Sequence, residues 1–203
     1  MREMHRCLSD REMNQYCDDV VIDMDDEEFK GRMEIANENV DTLIGYEPSV
    51  MNIILYLSMC AALDCYDAER SDEALDSDID ILYNVIDLVK SKIEGWGWKK
   101  LELDSRPEPE GDDRIELFMD AQGFLEDMIN DHLELFDDTD DGRNEAYLEV
   151  SNMIVYMISA VCSRCSDVDK AITYAVDSMR RTFAFIRDEC TLIPKEDLEP
   201  QSE

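Results

Sequence analysis

Asn52-Ile-Ile-Leu-Tyr56 and Asn152-Met-Ile-Val-Tyr156 are one apolar segment written twice, 100 residues apart. The same offset pairs Cys65 with Cys165, and each copy is followed by a second matching signal, Ser77-Asp-Ile-Asp80 and Ser166-Asp-Val-Asp169. The surrounding stretches, 48–65 and 144–165, are apolar on nearly every side, which on a helix means burial at the centre of a fold. The repeat, 47–94 and 144–187, reads as two related helical hairpins whose apolar helices form the middle of one bundle.

Outward from these helices the pattern stays helical. Ser9 and Glu12 form an S-x-x-E capping box opening a helix over 10–24, with Met13, Tyr16, Cys17, Val20, Val21 and Met24 at helical spacing. A second helix over 27–44 carries Phe29, Met33, Ala36 and Val40, and Gly45 is expected to stop it. Pro48 suits the first turn of the first repeated helix. Ser77 with Asp80, and Ser166 with Asp169, read as the caps of the helices that follow each copy, and Gly95 as the end of the first of these. A helix over 113–136 shows Ile115, Phe118, Met119, Phe124 or Leu125, Met128, Ile129 and Leu133 as its core face, with Gly123 marking a close helix contact. Between the halves, 96–113 has Trp96, Trp98, Pro107, Pro109 and Gly111 and reads as a crossing linker, with a short strand at 99–103 as the alternative. The expected fold is all-α: a single bundle of about seven helices over 1–193, followed by an acidic tail, 194–203.

Charge is the other strong signal. The chain has 51 Asp and Glu against 19 Lys and Arg, a formal net charge of −32, in 203 residues of which 44 % are hydrophobic. That is enough apolar material for a proper core. Such a charge repels nucleic acid and anionic membranes, so neither is an expected partner; a basic protein, a cation, or mimicry of a polyanion fits better. The first ten residues have no apolar core of a secretory signal, and the apolar stretch 50–63 is too short to span a bilayer. Cys60, Cys65, Cys162 and Cys165 fall inside apolar helices, where free thiols pack as small hydrophobes, so a reducing cytoplasm is expected.

Each motif with chemical promise has a plainer reading. Cys162-x-x-Cys165 has no second C-x-x-C and no histidine beside it, and sits within a helix rather than on turns. Core packing is preferred to zinc. Asp137-x-Thr139-x-Asp141-Gly142 matches the first half of a calcium loop, but the twelfth place is Leu148, with Glu149 one residue late. It reads as a solvated acidic loop. Neither His5 nor His132 has a glutamate three residues before it, as a carboxylate-bridged metal site on a bundle requires. No nucleophile elbow and no phosphate-binding glycine loop is present. Trp96 and Trp98 read as folding down over the end of the bundle. No catalytic residue, metal ligand or cofactor is assigned.

Function therefore rests on charge. The acidic runs, Asp23, Asp25, Asp26, Glu27 and Glu28 in the first half and Asp137, Asp138, Asp140 and Asp141 in the second, are the expected partner-binding residues. In size, helicity, acidity and lack of catalytic motifs the chain resembles the immunity proteins of bacterial toxin systems, including those of contact-dependent inhibition. No motif carries that resemblance, so no residue takes a role from it. It implies a non-enzymatic cytoplasmic protein that binds one basic partner, a nuclease toxin domain, and blocks its active site. The competing expectation is a DNA mimic that inhibits restriction or CRISPR machinery, which needs carboxylates spaced like phosphates along one extended face.

Overall fold

Six helices account for most of the described residues, which in this computed structural model are 26–67, 72–104, 109–136 and 139–189. They are α1 (Asp26–Tyr46), α2 (Val50–Asp67), α3 (Asp72–Trp96), α4 (Asp112–Leu133), α5 (Asp140–Arg164) and α6 (Val168–Glu189). The expected helix over 10–24 and the tail 194–203 lie outside the described residues. The all-α class holds, with six helices described rather than seven.

The repeated segments are the two central helices. α5 packs against α1, α2, α3, α4 and α6, and α2 against all five of the others. Ile54, Leu55, Leu57, Met59, Tyr156, Ile154, Met157 and Ile158 are almost wholly shielded from water. Each large apolar side chain so buried contributes on the order of 1.5–3 kcal/mol against the entropy of ordering the chain. Inside these apolar walls, hydroxyls bond to their own helix: Ser58 Oγ donates to the Ile54 carbonyl and Ser159 Oγ to that of Val155, both at 2.7 Å. By length and composition α5 is the one described helix that could cross a membrane, yet 78 % of its most apolar window is buried in the bundle.

The hairpin expectation needs a correction. Consecutive helices α2 and α3 scarcely touch; the most extensive contact in the molecule is between α2 and α6, and the next is between α3 and α5. Each central helix thus packs along the last helix of the other half. α1 likewise lies on α5, and α4 on α2. The halves are interleaved, so neither copy of the repeat buries its apolar helix alone.

Several boundaries move for local reasons. α1 runs through Gly45 to Tyr46, and α3 through Gly95 to Trp96; the left-handed residue after α3 is Gly97, with φ 69°. α2 begins after Ser49, whose Oγ accepts from the Asn52 N–H at 3.2 Å, rather than at Pro48. α3 begins at Asp72, before Ser77, and the cap of α6 is Asp167, whose carboxylate accepts from the Lys170 N–H at 3.1 Å. Ser166 instead donates to Glu102 at 2.9 Å.

In the described part of the crossing segment, 99–103 forms no strand but is docked on the bundle. Leu101 is buried and makes a single parallel bridge to Cys165: its N–H donates to the Arg164 carbonyl at 2.8 Å, and the Ser166 N–H donates to its carbonyl at 3.0 Å. Trp96 and Trp98 meet in a tilted contact at 4.9 Å between ring centroids, and Trp96 reaches Phe29 at 6.2 Å. Both tryptophans pack on the core, as expected.

Candidate functional site

Of the expected partner-binding residues, the described ones sit at the N-termini of α1 and α5, which pack together. Asp23, Asp25, Asp137 and Asp138 lie outside the described residues, and Asp26 opens α1. Glu27, Glu28, Asp140 and Asp141 are exposed in first turns, where carboxylates suit the positive end of the helix dipole. One arginine ties the first run to α5, away from the second run. Arg32 lies 3.6 Å from Glu28 on its own helix and donates to Glu149 of α5 at 2.7 Å. Glu149 follows Asp140 by nine residues, roughly 13 Å of helix. Burial opposes charge on Arg32, but the hydrogen bond and charge of Glu149 outweigh it, so the guanidinium holds its proton more tightly than usual. Asp140 in turn lies 3.9 Å from Arg143. These runs are partly engaged within the chain.

The calcium-like stretch is a helix cap. Thr139 Oγ1 accepts from the Gly142 N–H at 3.0 Å, and Asp140 to Arg143 already belong to α5. The one candidate hydroxyl ligand is thereby turned toward backbone, and the break expected to reach Gly142 ends at Thr139.

A larger acidic surface lies elsewhere. On α4, Asp112, Asp113, Glu116, Asp120, Asp127 and Asp131 are all exposed. At 3.6 residues per turn they fall within roughly a 100° arc and extend over about 29 Å. None of the six forms an ion pair among the described residues. Charge counted by runs overlooks this face because its carboxylates are spaced three, four and seven apart; the same helical periodicity used for apolar residues finds it.

Beside that stripe the expected core face of α4 is only half correct. Ala121 and Leu125 are its buried residues, whereas Ile115 and Met119 are 56 % and 57 % exposed. The bundle meets α4 on the side of Ala121, so residues toward the edge of the apolar arc stay in water. Gly123 is also exposed, and an added Cβ there would meet nothing within 4 Å, so it marks no close helix contact.

Cys60, Cys65, Cys162 and Cys165 are buried and in no disulfide, Cys165 lies just past the end of α5, and the four form no metal-binding cluster among the described residues. Cys60 Sγ donates to the Ala121 carbonyl at 3.6 Å, Cys65 Sγ to Asp78 at 2.7 Å, and Cys165 Sγ to the Val161 carbonyl at 3.2 Å. Burial pushes Cys60 and Cys162 far above the ordinary thiol range and Cys165 up to about 12. Protonated, inaccessible sulfur is unsuited to nucleophilic chemistry.

The most consequential polar residue carries no motif. Arg164 is 3 % exposed at the end of α5. Its Nε donates to the Lys99 carbonyl at 2.8 Å, and its terminal nitrogen donates to Asn37 at 2.8 Å and to Asp41 at 2.7 Å. It joins α1, the crossing segment and α5, which is a structural role. No protein-family model, no curated protein and no solved structure matches the chain.

Proposed function

We propose that the chain is a non-enzymatic acidic protein of the cytoplasm that neutralises a basic protein partner, in the manner of an immunity protein blocking a cognate bacterial nuclease toxin. The observation that carries this reading is the charge of −32 together with its placement on exposed helix faces. Such a surface steers a basic partner into encounter, and its carboxylates can occupy positions that nucleic-acid phosphates would otherwise take. Among the described residues of the two acidic runs, Glu27, Glu28, Asp140 and Asp141 are exposed.

A second reading, a DNA mimic that inhibits restriction or CRISPR machinery, draws support from the α4 stripe. Six carboxylates along about 29 Å resemble an extended charged edge more than a local patch. The two readings differ in selectivity: a mimic competes with DNA on several unrelated DNA-binding proteins, whereas an immunity protein inhibits one.

The test starts from the neighbouring upstream gene, which on this reading encodes a nuclease toxin domain; a neighbour without one counts against the reading. Equimolar chain should abolish that domain's activity, and the association rate should fall by about tenfold or more between low and physiological salt. Full nuclease activity at saturating chain would refute the immunity reading. An association rate indifferent to salt would refute steering.

A further inference from the structure

Ile115, Phe118 and Met119 lie one turn apart on α4, at the i, i+3 and i+4 positions that adjoin on a helix. Phe118 meets Phe185 of α6 edge to face at 5.9 Å between centroids, and Phe185 is 42 % exposed. The four side chains make one apolar patch across two helices, with Ile115 and Met119 more than half in water and Phe118 partly buried beside them. A −32 chain has no shortage of polar residues for these positions, so exposed Ile and Met side by side need a reason. Along the edge of the patch run Asp112, Glu116 and Asp120, all exposed, at one-turn intervals of about 6 Å. On the α6 side the cations are engaged: Arg187 bonds Asp188, and Arg181 donates to the Asp177 carbonyl and to Ser178.

From this juxtaposition we infer that the α4–α6 face is a docking surface for an amphipathic basic helix of a partner protein. The apolar anchors of such a helix recur at i, i+3, i+4 and i+7, which matches the patch, and a Lys or Arg one turn further along its flank meets each of the three rim carboxylates. The repeat distance of the acidic rim and that of a helix are the same, so complementarity extends along the face rather than resting on one pair. A second copy of this chain would bring a like-charged rim against this one, and nucleic acid or an anionic membrane would be repelled. The inference rests on the proposal of a basic partner and adds an apolar component that charge alone does not supply.

The test uses the full chain and two synthetic peptides of about 18 residues, one of leucine and lysine patterned as an amphipathic helix, the other of lysine alone. The leucine–lysine peptide should bind about tenfold more tightly than oligolysine, and I115S/M119S should remove that advantage while leaving oligolysine binding unchanged. Both sites being exposed, the double variant should melt with the wild type. Equal binding of the two peptides, or an unaltered preference in the variant, would overturn the docking surface while leaving a charge-based partner in place. Absence of binding by either peptide would overturn both. Concentration-dependent dimerisation of the wild type that the variant loses would assign the patch to a second copy, and a marked drop in the variant's melting temperature would mean that the chain itself covers the patch; either result overturns the inference.

Discussion

The guanidinium of Arg164 lies 2.7 Å from the carboxylate of Asp41, one buried and the other more than half in solvent. The pair is asymmetric. Removing Arg164 strands the Lys99 carbonyl and the Asn37 amide oxygen beside a gap, whereas removing the charge of Asp41 leaves the other two partners of Arg164 in place. R164A is expected to lower unfolding stability by about 2–3 kcal/mol, and D41N by less than about 1 kcal/mol because solvent screens that partner. Urea denaturation of the two variants distinguishes them. Equal losses would mean that the ion pair, not the buried hydrogen bonds, holds α1 to the crossing segment.

Glycines give the reverse of what their sequence positions imply. Gly31 and Gly123 lie inside helices where an added Cβ meets nothing within 4 Å. Each change to alanine should stabilise the chain by about 0.5–1 kcal/mol through the unfolded state and helix propensity. Gly97, at φ 69°, also has open space around its Cα, but a side chain there is strained, so Gly97→Ala should cost about 1 kcal/mol. Thermal melts of the three single variants should therefore split two against one.

Thr139 tests whether its stretch is a cap or an ion-binding loop. If the Gly142 N–H bond at 3.0 Å is its main role, Thr139→Ala costs about 1 kcal/mol and Thr139→Ser nearly nothing. The melting temperature of both should respond to millimolar calcium no more than the wild type does. A calcium-dependent rise in the wild type that Thr139→Ala abolishes would restore the loop reading.

The buried thiols set an alkaline limit. Burial raises Cys60, Cys162 and Cys165 above their ordinary values, Cys165 to about 12, while the unfolded chain ionises near the model-peptide value of about 8.5. Their protonated forms are favoured in the folded state, so this contribution is complete below the unfolded value. It declines as pH climbs from there toward 12, because only the unfolded state releases those protons. Stability should fall over that window, and Cys162→Ala should make the fall shallower. Unfolding free energies measured from pH 7 to 10.5 check both. A flat profile would mean that these thiols ionise alike in both states.

What the sequence made legible follows from periodicity. The offset between Asn52 and Asn152 located both central helices, and the apolar stripes located the four around them. Partner choice was not legible: nothing local to Ser77 or Ser166 says that α3 packs on α5 and α6 on α2, because helix faces of similar apolar width are interchangeable until they are packed. The acidic runs were visible as runs, but Asp112, Glu116, Asp120, Asp127 and Asp131 become a surface only when the charges are placed on the helix. Ile115 and Met119 depart from the expected core face for a related reason. They belong to the apolar arc of α4 by spacing, and only the position of the neighbouring helices puts them outside the core. Arg164 had no signal at all, since a lone arginine at a helix end is ordinarily solvated.

Salt addresses the charge itself. With a net −32, repulsion among like charges acts on the folded state more than on the expanded unfolded one. The described ion pairs that could work in the other direction are mainly exposed ones such as Lys30–Glu34 and Arg180–Asp76, each worth at most about 1 kcal/mol. Screening should therefore stabilise the chain: the melting temperature rises as sodium chloride goes from about 0.01 M, where the Debye length is about 30 Å, to about 0.15 M, where it is about 8 Å. Above that the gain levels off, because the α4 carboxylates one turn apart are then separated by nearly a Debye length. Neutralising part of the stripe with D112N, E116Q and D120N should raise the low-salt melting temperature and flatten its salt dependence, leaving the high-salt value nearly unchanged. A melting temperature that falls on adding salt would mean that ion pairs outweigh repulsion, and the stripe would then have no destabilising cost for a basic partner to relieve.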